Sequence, residues 1–183
     1  MDKFKLHDLE SAPEASRPFL EAAQTKFGFI PNILRLQAEA PALLKGYMTL
    51  SGIFSESGLT PGEQQVVLLA ASIANKCHYC AAAHSMAATG AAVGQEVIEA
   101  IRTNETLKDH KLEALVTLTK KMIEARGWLT GDDIEPFLEA GYSRADVMHV
   151  VLGIAVKTMT HYVNHMAETP LDEAFEKFKV RVK

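Results

Sequence analysis

The sequence predicts an all-α protein, a single-domain helical bundle, and three observations carry that expectation. Apolar residues recur at helical spacing along nearly the whole chain, and no run alternates as a half-buried strand would. Helix-start signals recur as Ser or Thr caps with an acidic residue three positions on. At 183 residues, with 48% hydrophobic and 23% charged, the chain can bury a core, which excludes a disordered polymer.

Taken in order, Arg17 to about Lys26 reads as a first helix ended near Gly28, and Pro31-Asn32 opens a short second one. Pro41 to about Ser55 is a third, stopped by Gly58. Thr60-Pro61-Gly62-Glu63 is a capping box with proline at the first helical position, and the helix it opens runs to about Lys76. That helix is apolar on most sides (Val66, Val67, Leu68, Leu69, Ile73), so it is expected to be buried. The next, from about Cys77 to Thr89 and stopped at Gly90, is rich in alanine and lets its neighbours approach closely. Further helices are predicted at Gly94–Arg102, Asp109–Arg126, Asp132–Ala140 and Arg144–Ala167, with Thr130 and Ser143 as caps.

No linker interrupts this pattern. Residues 1–183 are read as one domain: N-terminal helices at 1–58, a CxxC core at 59–103, a second helical unit at 109–167 and a tail at 168–183. A weak repeat underlies it. At an offset of 83, Thr60-x-x-Glu63 matches Ser143-x-x-Asp146 and His78-Tyr79 falls on His161-Tyr162. Thr160 and Val163 stand where the cysteines are, so the pattern reads as a duplicated helical hairpin that keeps its reactive centre in one copy.

The net charge of −4, without a Lys/Arg cluster, argues against a nucleic-acid partner or an anionic membrane surface. The opening Met1-Asp2-Lys3-Phe4-Lys5 lacks the apolar run of a signal peptide, and no stretch of apolar residues is long enough to span a bilayer. A cytoplasmic, reducing location is expected.

The two cysteines are the only ones in the chain and sit three apart. A disulfide closing so short a loop removes little chain entropy, so the pair is expected to matter through its chemistry. In Cys77-His78-Tyr79-Cys80-x-x-x-His84, helical rotation of about 100° per residue brings both thiols and the imidazole onto one face within roughly 60°. CxxC spacing, a helix N-terminus and a nearby imidazole each favour the thiolate, which attacks a peroxide oxygen or a disulfide sulfur. The blander reading is a pair of small core residues. A zinc site is the sharper rival, with His161 and His165 one turn apart to complete a shell, but Tyr162 stands where an HExxH glutamate would be. Glu63 is assigned to the capping box rather than to acid–base work. His7, His110 and His149 are read as structural, and Met86, Met159 and Met166 as walls of an apolar pocket or as core filler.

The chain resembles the alkyl hydroperoxidase D-like proteins of the carboxymuconolactone decarboxylase superfamily. The resemblance is continuous from about Phe27 to Ala167. It rests on Phe27-Gly28-Phe29-Ile30-Pro31-Asn32, Leu59-Thr60-Pro61-Gly62-Glu63, the apolar helix behind them, Asn75-Lys76-Cys77-His78-Tyr79-Cys80-Ala81-Ala82-Ala83-His84 and Ala140-Gly141-Tyr142-Ser143. It implies a homo-oligomer, trimer or hexamer, that reduces hydroperoxides without a metal or cofactor. Cys80 would attack, Cys77 would resolve the sulfenic acid as a disulfide, and an external dithiol donor would reduce that disulfide.

In the family His84 would relay protons together with a glutamate twelve residues before the first cysteine, but position 65 is Gln65. An amide can orient His84 or hold a water; it cannot take up a proton. His78, His161 or His165 are the candidate replacements. Helix-dipole physics alone would favour Cys77 as the attacking thiol, and the resemblance favours Cys80; pairing with His84 one turn away decides for Cys80. Two alternatives remain from other classes: a redox-sensing or zinc-binding protein using Cys77, Cys80 and His84, and a lactone decarboxylase of the superfamily's other branch.

Overall fold

A computed structural model describes residues 4–180. Met1-Asp2-Lys3 of the predicted start, and residues 181–183 of the predicted tail, lie outside the described residues. Among the described residues nine α-helices follow one another: α1 (Arg17–Phe27), α2 (Asn32–Gln37), α3 (Pro41–Ser55), α4 (Pro61–Ala74), α5 (His78–Gly90), α6 (Gln95–Thr103), α7 (His110–Glu124), α8 (Gly131–Glu139) and α9 (Arg144–Ala167). Short 3₁₀ turns at Glu14–Ser16 and Glu173–Phe178 flank them, and the described residues contain no strand.

The centre of the bundle is α4, which packs against α5, α6, α7 and α9. Its composition dictates that place: Val66, Val67, Leu69, Ala70 and Ala71 are all at most 1% exposed, so the helix is apolar on most sides. The N-terminus is fixed by the predicted capping box, with Thr60 Oγ1 accepting from Glu63 N–H and Glu63 Oε2 accepting from Thr60 N–H. Glu63 also accepts from the Tyr142 hydroxyl at 3.0 Å and pairs with Lys111 at 3.1 Å. Burial alone would raise its pKa, but these partners hold the carboxyl below its ordinary value, and its role is structural as expected.

The predicted helix to Lys76 stops two residues early. Lys76 adopts a left-handed φ of 54°, and Cys77 N–H reaches back to Ser72 O at 2.9 Å, a helix-ending turn. Cys77 is therefore the extended N-cap of α5 rather than its first helical residue. The matching Ser143 cap of α9 is also a full box, but α9 runs unbroken through the positions that correspond to the α4–α5 break.

Gly153 is what lets α9 approach. A Cβ there would lie 2.8 Å from Val67 and 3.0 Å from Phe54, so α9 crosses α3 and α4 at a point only glycine fits. The predicted tail is more than an appendage. Its 3₁₀ turn packs on α5, and Phe175 meets the rings of Tyr79 at 5.7 Å and Phe29 at 5.8 Å edge to face.

Candidate active site

The start of α5 delivers both thiols to the interior: Cys77 is 1% and Cys80 3% exposed, and both are free. One turn on, His84 points to the same side, as the spacing predicts. Its Nδ1–H donates to Gln65 Oε1 of α4 at 3.0 Å. Gln65 thus orients the imidazole, one of the two tasks an amide can perform there.

The partner that sequence reasoning missed comes from α9. Lys157, 2% exposed, donates from Nζ to His84 Nε2 at 2.8 Å and to Cys80 Sγ at 3.2 Å. Asn164, two turns further along the same face, donates from Nδ2 to Cys80 Sγ at 3.1 Å and lies 3.6 Å from Cys77 Sγ. Thr160 Oγ1 is 3.6 Å from Cys80 Sγ. A signal for Lys157 existed. It is the single charge in the apolar stretch from Val147 to Met159, spaced by four and seven from Gly153 and Val150 on the buried face.

The two thiols are driven apart electrostatically. Burial opposes ionisation of Cys80, but a hydrogen bond from the Cys77 thiol, the Lys157 charge and the His161 ring outweigh it and hold Cys80 well below the ordinary thiol value. Cys77 is pushed up by that same hydrogen bond and then by burial. His84 is pushed well below its usual value by burial and then by the Lys157 charge, so the ring is neutral. The Cys80 charge in turn holds Lys157 protonated, raising its pKa against the effect of burial. These shifts favour a buried thiolate–ammonium pair beside a neutral imidazole.

The other predicted histidines divide. His161 is buried, and one of its ring nitrogens, Cys77 Sγ and Cys80 Sγ all lie within 4.8 Å of one another. His165 stacks on His161 at 6.3 Å between centroids but is exposed. His78 is also exposed, on the outer side of α5, with Nδ1 3.2 Å from Val180 O. Neither His78 nor His165 joins the thiol cluster, because α5 and α9 turn those positions outward. The soft-donor cluster the structure assembles is therefore Cys77, Cys80 and His161, with His84 outside it. Of the histidines read as structural, His7 donates to Ser11 O and pairs with Glu39, and His149 pairs with Asp146. His110 is the first residue of α7.

A cavity of about 270 Å³ is lined by Cys80, His84 and Lys157. Phe27, Phe29, Ile33, Met48, Met86 and Phe175 give it apolar walls. Cys77 does not line it, so the low-pKa thiol is also the one a small molecule meets. Of the methionines predicted as pocket walls only Met86 qualifies; Met166 is exposed and Met159 abuts Gly46 on α3. No helix among the described residues is long and apolar enough to cross a membrane.

Residues 41–108 match the model of the Carboxymuconolactone decarboxylase family. No curated protein matches the sequence. Solved structures share the fold over nearly the whole chain. An alkylhydroperoxidase AhpD core protein, an uncharacterized peroxidase-related protein from Ralstonia eutropha JMP134, superposes with a TM-score of 0.84 at 21% identity, covering 94% of this chain and 93% of that one. A peroxidase-related protein from Silicibacter sp. TM1040 gives 0.81 at 20% identity over 96% and 94%. The debrominase Bmp8 in complex with 2,3,4-tribromopyrrole gives 0.79 at 15% identity over 97% of each chain. At these identities the likeness is one of fold.

Proposed function

We propose that the chain is an alkyl hydroperoxidase D-like member of the carboxymuconolactone decarboxylase superfamily and that it reduces organic hydroperoxides through its Cys77–Cys80 pair, a reading supported by the family match over residues 41–108 and by the shared fold. The observation that carries this reading is Lys157 Nζ within hydrogen-bond reach of both Cys80 Sγ and His84 Nε2 in the wall of a largely apolar cavity. A buried thiolate with an adjacent proton donor meets the two needs of O–O cleavage: a nucleophile, and an acid for the departing oxygen.

In the first step the Cys80 thiolate attacks the terminal peroxide oxygen. The S–O bond forms, the O–O bond breaks, and Lys157 gives its proton to the alkoxide, which leaves as alcohol. Cys80 is now a sulfenic acid and Lys157 a neutral amine. Lys157 then takes the Cys77 thiol proton. The Cys77 thiolate attacks Cys80 Sγ, the disulfide forms, and hydroxide leaves with that proton as water. An external dithiol donor returns two electrons and two protons, and Cys80 passes its proton back to Lys157. The ammonium thus takes the part that a glutamate at position 65 would have in the relay, and neutral His84, held by Gln65, positions it. The apolar walls select a hydroperoxide carrying a hydrocarbon group. A homo-oligomer, trimer or hexamer, and a cytoplasmic location belong to the same reading.

The test is a thiol count before and after one equivalent of cumene hydroperoxide in wild type, Cys80→Ser and Lys157→Met. Rapid loss of both thiols in wild type only is expected. Thiols that persist in wild type would overturn the proposal.

A second reading, redox sensing or zinc binding without turnover, draws on the cluster of Cys77, Cys80 and His161. Lys157 weighs against it, since an ammonium 3.2 Å from Cys80 Sγ repels a cation at that sulfur. Stoichiometric zinc in purified protein, with thiols inert to peroxide, would favour it.

A further inference from the structure

Lys157 is among the largest fully buried side chains, and no carboxylate of the described residues forms an ion pair with it. The charge that holds it as an ammonium is the Cys80 thiolate. Oxidation removes that charge, because a sulfenic acid is neutral, and the proton has already left with the alcohol. What remains in the cavity is a primary amine whose nitrogen starts 3.2 Å from a sulfur that has become electrophilic.

A sulfenic acid condenses with a thiol to a disulfide or with a nitrogen to a sulfenamide. Among the nitrogens near Cys80, which include a His161 ring nitrogen within 4.8 Å, the amine of Lys157 is the strongest base and lies at hydrogen-bond distance. The Asn164 nitrogen is an amide, whose lone pair is delocalised. The backbone nitrogen of Ala81, which would close a five-membered sulfenamide ring, is committed to Cys77 O at 2.9 Å within the first turn of α5. The competing thiol, Cys77, has its sulfur within 4.8 Å of Cys80 Sγ but does not line the cavity.

We propose that Lys157 captures the Cys80 sulfenic acid as a sulfenamide, with Sγ bonded directly to Nζ, whenever Cys77 does not react first. The inference rests on Cys80 being the thiol that peroxide oxidises. The Nζ lone pair forms the S–N bond, the S–O bond breaks, and hydroxide leaves with an Nζ proton as water. Sulfur keeps its oxidation state, so no further oxidant is needed. A dithiol reverses the bond, returning thiol and amine while it becomes a disulfide itself. The linkage would hold Cys80 off the irreversible path to sulfinic acid while a second peroxide is present.

Cys77→Ser, which removes the competing thiol, makes the bond readable. The variant is treated with one equivalent of cumene hydroperoxide, and its intact mass and non-reducing peptide map are recorded with and without dimedone. The expected product has lost two hydrogens and resists dimedone. It yields a joined peptide pair containing Cys80 and Lys157, uncleaved by trypsin after Lys157 and separated by dithiothreitol. Excess peroxide should then give several-fold less sulfinic acid in Cys77→Ser than in Cys77→Ser/Lys157→Met. The peptide map of Cys77→Ser decides alone if the double variant does not fold. A gain of one oxygen that dimedone captures, or of two oxygens, with Lys157 unlinked, would overturn the sulfenamide and leave the peroxidase reading standing. A variant whose Cys80 is not oxidised at all would overturn both.

Discussion

Gln65 and His84 are joined by a 3.0 Å hydrogen bond in which the ring Nδ1–H donates to the amide oxygen, and this bond fixes which nitrogen faces Lys157. A neutral amide leaves the ring neutral, with Nε2 free to accept from the ammonium. A carboxylate at position 65 would instead draw the ring toward its charged form and set two cations against each other.

Gln65→Glu is therefore expected to raise the His84 pKa from its place well below 6.5, read by imidazole NMR titration. Gln65→Leu, which frees the ring to rotate, should slow peroxide-driven thiol loss by about tenfold, less than the ~10²–10⁴ lost with a proton donor itself. A His84 titration that ignores the Glu substitution would refute this pairing.

Lys157→Met removes the charge while keeping most of the buried volume. The Cys80 pKa lies below the ordinary value of 9.0, so its thiolate persists as pH falls below that value and disappears only through the lower, folded-state pKa. In the variant the inflection of Cys80 alkylation against pH should move up, and peroxide-driven oxidation should fall by about 10²–10⁴. An unshifted alkylation profile would mean that Cys77 and His161 hold the thiolate without Lys157.

Tyr79 donates its hydroxyl to Asp172, which also accepts from Asn32 N–H at 3.2 Å, so one carboxyl ties the tail to α5 and α2. Asp172→Ala strands both donors and should cost about 1–3 kcal/mol in chemical denaturation, against about 1 kcal/mol for Tyr79→Phe. Burial raises the Asp172 pKa above 3.8 despite these bonds. The stabilising contribution is thus fully present below 3.8 and is lost as pH rises through the folded-state value. Asp172→Asn should abolish that slope, and an identical slope in the variant would exclude Asp172 as its source.

Gly153→Ala places a methyl against Val67 and Phe54, at 2.8 and 3.0 Å. Overpacking of this kind costs about 1–3 kcal/mol, measurable as a lowered melting temperature. Equal stability would show that α3 can shift to make room.

Local patterns were legible in the sequence and long-range partners were not. The caps at Thr60 and Ser143, the helices they open, and the common face of Cys77, Cys80 and His84 follow from spacing within one or two turns. Gln65 emerged only through the family resemblance, which places a glutamate twelve residues before the first cysteine. Lys157 and Asn164 reach Cys80 across 77 and 84 residues, and no helical period encodes how α9 is rotated about its axis. The α4–α5 break was expected but placed two residues late, because Lys76 enters the left-handed region without a glycine to announce it.

The tail strap ties the finished site to the order of synthesis. Tyr79 lies between the two cysteines, and its partner Asp172 is 93 residues further along the chain. At about 5–20 residues per second a ribosome needs roughly 5–20 s to cover that distance. For that interval Cys77 and Cys80 exist while Asp172 and Phe175 do not, and neither does Lys157 for most of it. A nascent chain therefore carries both thiols before the strap exists, and Cys80 can meet its ammonium only once translation has passed Lys157.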